Sequence, residues 1–174
     1  MTNKQPVFTK DIPNKHLTII KDFDAPVDLV WKAWTQSDIL DQWWAPKPWK
    51  AETKTMDFRV GGQWLYCMVG PNGEKHWCRV DYKAIEPQVS ISSDSAFADE
   101  EGQTNPNLPS WNWLQQFRQT SNGMTVTVVL TFANEASMEE IITMGFQQGF
   151  TMGLSNLDEY LSRQRRPTVS LPII

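Results

Sequence analysis

The stretch SMEEIITMGFQQGFTMGLSNLDEYLSR, residues 137–163, decides how this chain is read. Met138, Ile141, Ile142, Phe146, Phe150, Leu154, Leu157 and Leu161 recur at spacings of three and four, which predicts one long helix with a broad apolar stripe. Ser137, with Glu140 three residues on, makes a capping box at its start. Gly145, Gly149 and Gly153 run along the edge of the stripe. A glycine inside a helix costs about 1 kcal/mol against alanine, so three of them need a reason. Close approach of a sheet is one, and room left for a guest is the other. A membrane dimer motif does not fit, because Gln147 and Gln148 sit between the glycines and the flanks are charged.

Upstream, from Trp49 to Ala133, the apolar period switches to two, as expected of about six antiparallel strands. Asn72-Gly73 and Asn122-Gly123 suit two-residue type I′ hairpins. The first would pair Met68 with Trp77, Cys67 with Cys78, Tyr66 with Arg79 and Trp64 with Asp81. The second would pair Gln119 with Val126, Phe117 with Val128, Gln115 with Leu130 and Trp113 with Phe132. Val126, Val128, Leu130 and Phe132 define an inner face, which Trp113, Gln115, Phe117 and Gln119 share. Alternation blurs after Asp81, where a bulge would flip the faces. Residues 98–109 (ADEEGQTNPNLP) read as an acidic, proline-bearing loop, solvated or at a cavity mouth.

Further upstream, His16–Phe23 is a first strand and residues 1–15 an extended arm. Pro26 sits at a first helical position, with Asp24 or Ala25 as cap, and Val27, Val30, Trp31 and Trp34 share one face. Ser37 with Asp38 starts a second short helix carrying Ile39, Leu40, Trp43 and Trp44, which Pro46 and Pro48 stop. The predicted fold is therefore α+β: a curved antiparallel sheet wrapped around one long C-terminal helix, with two short helices plugging its open end. Residues 16–164 form one domain. The apolar tail, residues 165–174, packs on it or on a neighbour, which would make a homodimer.

Sixteen basic and twenty acidic side chains in 174 residues give a net charge of −4, which argues against a nucleic-acid footprint. A chain of this length buries about 70% of its unfolded surface and needs no staples. No apolar run approaches the ~20 residues of a membrane span, and the first residues lack a signal-peptide core, so the expected location is cytoplasmic. Two cysteines make no disulfide framework. Cys67 and Cys78 are expected to stay reduced. With His76 they offer three soft ligands and no fourth, so no metal is expected. No cofactor fingerprint or catalytic motif is present, which leaves no catalytic residue to name.

Nine Trp with eight Phe and three Tyr raise the main question, whether the aromatics fill a core or line a hollow. Taken singly, each is best read as core. As a set with the helix glycines, they are hard to pack solid. The expected cavity therefore comprises Trp31, Trp34, Trp43, Trp44, Trp64, Tyr66, Met68, Trp77, Trp113, Phe117, Phe146, Gly149, Phe150 and Gly153. Gln115 joins them from the second hairpin, and Arg79 and Asp81 join if the register of the first holds. Arg79 and Asp81 either pair with each other or, with Gln115, orient an amphipathic guest. Asp57, Arg59, Gly61 and Gly62 read as a structural turn, glycine in a strand marking a bend.

Five segments resemble a known family: APVDLVWKAWT (25–35), QWWAP (42–46), MDFRVGG (56–62), MVGPNGE (68–74) and MGFQQGFTMGLSNLDEYL (144–161). They are similar to motifs of the activator-of-heat-shock-protein-ATPase family, within the START-like (SRPBCC) superfamily. The resemblance spans roughly residues 16–163 and implies a helix-grip fold. It also implies a cavity between helix and sheet for a hydrophobic or amphipathic small molecule. Carried over, the pattern gives Pro26, Trp31, Trp34, Trp43, Trp44, Asp57, Arg59, Gly61, Gly62 and Gly149. Phe150 stands where many relatives have Trp, and Leu65 and Cys67 stand where many have basic residues beside Tyr66. The eukaryotic branch, usually joined to a second N-terminal domain, implies a chaperone partner. Three functions follow for testing: a small-molecule binding protein, a cyclase or hydrolase using the same cavity, and a cochaperone-like module with an outer docking patch.

Overall fold

The computed structural model describes residues 4–165. The chain runs β1 (Val7–Asp11), β2 (His16–Phe23), α1 (Val27–Thr35), α2 (Ser37–Trp43), β3 (Lys50–Met56) and β4 (Gln63–Val69). It continues with β5 (Lys75–Glu86), β6 (Ser90–Ala98), β7 (Ser110–Gln119), β8 (Met124–Phe132), α3 (Glu135–Thr143) and α4 (Phe146–Arg165). All eight strands pair antiparallel in one sheet, ordered β1-β2-β8-β7-β6-β5-β4-β3. The fold is α+β, a curved sheet gripping α4. The segment expected to be an extended arm supplies the edge strand β1, with Val7 opposite Ile20 and Asp11 opposite His16. Arg165 of the expected tail ends α4, and residues 166–174 fall outside the described residues.

The long terminal helix is two helices, not one. Gly145 adopts φ +93° and its N–H bonds the Ile142 carbonyl, which ends α3 in a left-handed glycine cap. Helix α4 starts at the next residue. Asn134, not Ser137, caps α3: its side chain accepts from the Ser137 N–H at 2.8 Å. The apolar phase carries on across the break, which is why the sequence reads as continuous.

The last two glycines differ from the first. A Cβ on Gly149 would meet Pro46 at an ordinary 3.7 Å, whereas one on Gly153 would press on the Trp44 and Trp43 carbonyl oxygens at 3.2 and 3.3 Å. Helix α2 thus docks its C-terminus on α4 through Gly153. Three residues further on, Asn156 donates to the carbonyls of Trp43 and Ala45, at 3.4 and 3.0 Å. The orphan carbonyls of the α2 end are satisfied by the neighbouring helix.

Both hairpin registers differ from the type I′ expectation. At β4–β5, Gly70 and Glu74 bracket a three-residue loop, with Gly73 at φ +84°. Glu74 turns its carboxylate back to the Asn72 N–H at 2.7 Å. Tyr66 therefore faces Cys78, and Cys67 faces Trp77. This one-residue slip puts Trp77, Arg79 and Asp81 on the outer face. At β7–β8 Thr120 and Gly123 bracket a two-residue loop, one position earlier than expected, which pairs Gln119 with Met124 and Trp113 with Leu130. That slip of two leaves the inner face of β7 unchanged. A register shift between Tyr82 and Ala84 then brings Ile85 inward opposite Ile91, which is 1% exposed.

Candidate functional site

The inner face of the sheet meets the start of α4 across a cleft of about 360 Å³. Its sheet wall holds Tyr66 and Met68 from β4, His76 and Cys78 from β5, Phe97 from β6, and Trp111 and Trp113 from β7. The helical wall is Ile141, Met144, Gly145, Phe146, Gly149 and Phe150. Trp44, Pro46 and Trp49, after α2, close a third side. Such a volume lies in the lower range of small-molecule pockets. Among the described residues the lining includes no Asp, Glu, Lys or Arg.

Beneath the cleft lies a void of about 40 Å³, which shares Trp44, Tyr66, Trp111 and Trp113 with it. Trp34, Trp64, Ser93, Ser95 and Gln115 are among its remaining walls. Of the expected cavity residues, Trp44, Tyr66, Met68, Trp113, Phe146, Gly149 and Phe150 line the cleft, and Trp34, Trp64 and Gln115 line the void. Trp31, Trp43, Phe117 and Gly153 line neither. Trp31 packs edge-on to Phe58 and Phe117, with centroids 6.0 and 5.1 Å away. Trp43 is fully buried, its indole N–H donating to the Ala33 carbonyl at 2.8 Å.

Trp77, Arg79 and Asp81 need correction, since the observed register turns them out of the cavity. Arg79 grips Asp81 through Nε and Nη2 at 3.0–3.2 Å and donates from Nη1 to the Gly102 carbonyl at 2.9 Å. The acidic loop is thereby pinned over Leu65, on the outer face. Lys54 Nζ lies over the Trp77 ring, 5.9 Å from its centroid. Cys67 and Cys78 point to opposite faces and are free thiols. Among the described residues no His, Cys, Asp and Glu group could hold a metal ion. Asp57, Arg59, Gly61 and Gly62 form the tight β3–β4 turn, where Gly61 has φ +86° and a Cβ on Gly62 would collide with the Asp57 carbonyl.

Pro46, Trp49, His76, Cys78, Phe97, Trp111, Ile141, Met144 and Gly145 also line the cleft, beyond the expected set. The observed register would have revealed His76 and Cys78, which alternate with Tyr66 and Met68 across the pair. Phe97 sits on a strand whose partner the sequence does not announce.

Polar groups in the site are few and mostly matched. The Tyr66 hydroxyl accepts from the Trp44 indole at 2.9 Å and is hydrogen-bonded to the Cys78 thiol. Burial pushes the tyrosine well above its ordinary range and the thiol up to about 11. Both therefore face the cleft as neutral groups. The Trp113 indole donates to Gln115 Oε1 at 2.9 Å, and the Trp64 indole to Thr53 Oγ1 at 3.0 Å. Trp34 and Trp111 are different: their indole nitrogens are buried with no partner.

A curved sheet gripping a terminal helix over an apolar cleft is the helix-grip class of protein. Residues 24–162 match the profile of the family described as activator of Hsp90 ATPase homolog 1-like protein, and the chain belongs to that family. A crystal structure of a protein from Mycobacterium smegmatis is similar, with a TM-score of 0.84 at 27% identity, covering 97% of this chain and 100% of that one. A solution structure from Arthrobacter aurescens has a TM-score of 0.85 at 28% identity, covering 97% and 98%. The AHSA1 protein from Silicibacter pomeroyi shares the fold, with a TM-score of 0.68 at 16% identity over 86% and 99%. No curated protein matches at a significant level. No helix among the described residues is long and apolar enough to cross a membrane.

Proposed function

We propose that this protein holds a hydrophobic or amphipathic small molecule in the cleft between α4 and the sheet. The observation that carries the reading is the cleft itself: about 360 Å³ walled by aromatic and aliphatic side chains in a protein otherwise packed with rings. Burying apolar ligand surface there stabilises by roughly 25 cal/mol per Å² before the costs of association. Tyr66 and Cys78, kept protonated by burial, offer hydrogen bonds rather than a base, which favours holding over turnover.

Gly149→Leu tests the reading. Its backbone is helical, the position opens on the cleft, and the nearest atom to a Cβ is Pro46 at 3.7 Å. Leucine gains helix propensity of up to about 0.8 kcal/mol while filling the cleft. The expected result is retained or raised stability in urea with loss of binding to an uncharged fluorescent probe such as N-phenyl-1-naphthylamine. Equal probe affinity in the variant and the parent would remove the cleft as the binding place.

A further inference from the structure

Two buried indole donors are without partners, and both of their residues line the same void. Six of the nine tryptophans line the cleft, the void or both, excluding Trp31, Trp43 and Trp77. The indoles of Trp44, Trp64 and Trp113 are committed to Tyr66, Thr53 and Gln115. Those of Trp34 and Trp111 donate to nothing. Trp34 is only 3% exposed and lines the void, while Trp111 lines both void and cleft. An indole N–H can only donate, so its complement is an acceptor. The void holds about 40 Å³, enough for a carbonyl oxygen and too small for a ring.

We propose that the void is a subsite for an uncharged acceptor oxygen, a ketone or ester carbonyl, projecting from the ligand whose apolar body occupies the cleft. This rests on the binding reading above and narrows its ligand class. Ser93 and Ser95, both buried, add polar character to the same walls. Among the described residues no Lys or Arg lines either space and His76 lines the cleft alone, so a carboxylate in the void would lack a counter-charge and be disfavoured. The acceptor site therefore selects neutral carbonyl compounds against both hydrocarbons and acids.

The test uses three probes of one shape: 9-fluorenone, fluorene and fluorene-9-carboxylate. Competition against the cleft-bound fluorescent probe is expected to rank fluorenone roughly tenfold tighter than fluorene, the scale of one hydrogen bond to a buried, otherwise unmatched donor. The carboxylate should bind weakest of the three. Trp111→Phe should cut the ketone-to-hydrocarbon affinity ratio toward unity, a ratio that cancels any change in packing common to both probes. In the unmutated protein labelled with 15N-tryptophan, fluorenone should move two indole N–H signals downfield that fluorene leaves in place. If fluorene and fluorenone bind equally and no indole signal responds to the ketone, the subsite is overturned while the cleft reading stands. If none of the three binds and the fluorescent probe is not displaced, the subsite falls, and loss of probe binding itself would take the cleft reading with it.

Discussion

Lys21 shows how a single residue can fix an element's place. It is 3% exposed, which lysine tolerates only when its charge is answered. Its ammonium donates to the Asp22 carbonyl at 2.9 Å and to Asp158 on α4 at 3.1 Å, and lies 4.7 Å above the Phe23 ring. Strand β2 is thus tied to the long helix by a buried ion pair. Burial raises the Asp158 carboxyl above its ordinary value even though Lys21 pulls it down. Lys21→Met would leave that carboxylate buried and unmatched, and the expected loss is about 3–5 kcal/mol at neutral pH by urea unfolding. The sign of its pH dependence follows. A carboxyl with a raised folded pKa binds more protons folded than unfolded, so stability falls as pH climbs past 3.8 and recovers on acidification. The variant should regain stability between neutral pH and about pH 4, and adding Asp158→Asn should remove that recovery. A pH-independent loss would mean that Lys21 acts by packing alone.

At the scale of elements, the three glycines of the terminal segment make three different predictions. Gly145→Ala forces a side chain to φ +93° and should cost about 1–2 kcal/mol. Gly149→Ala meets only ordinary contacts and should gain up to about 1 kcal/mol from helix propensity. Gly153→Ala gains the same propensity but pushes the α2 carbonyls away, so a net loss is expected, with thermal unfolding as the measure. Gains at all three would mean one uninterrupted helix. The apolar stripe could not reveal the break, because Ile141, Ile142, Phe146 and Phe150 keep phase across it. Only Gly145 carried the signal, and it was shared with two neighbours that do something else. The hairpins teach the same lesson in strands. The number of strands was readable from Trp49 to Ala133, but an Asn-Gly pair does not fix the length and position of a loop. Glu74 folding back on Asn72 accompanies a three-residue loop in one, and the Thr120–Gly123 bonds set the two-residue loop of the other one position early. A slip of two kept Trp113, Gln115 and Phe117 on the inner face, while a slip of one turned out Trp77, Arg79 and Asp81. Oxidation checks the register directly: Cys67 and Cys78 point to opposite faces, so diamide should yield no intramolecular disulfide.

For the whole molecule, a ligand in the cleft would couple the helices to the sheet, because the walls come from α3, α4, the segment after α2, and four strands. Anything bound only by the folded form raises its stability, by about 2.7 kcal/mol at a hundredfold excess over Kd. Saturating neutral carbonyl ligand should therefore raise the unfolding midpoint, and Gly149→Leu should abolish the rise without lowering the unliganded midpoint. The two thiols report where the ligand sits. Cys78 lines the cleft, with its thiol raised to about 11, whereas Cys67 is buried on the other side of the same sheet. Both should react slowly with a disulfide reagent near pH 7, since reaction needs the thiolate. Global stabilisation slows labelling that requires unfolding at both positions equally. Occupancy of the cleft adds a local shield at Cys78 alone. The Cys78 rate should therefore fall further than the Cys67 rate as ligand is added, read by mass spectrometry of labelled peptides. Equal slowing of both would place the bound molecule outside the cleft, however strongly it stabilised the fold.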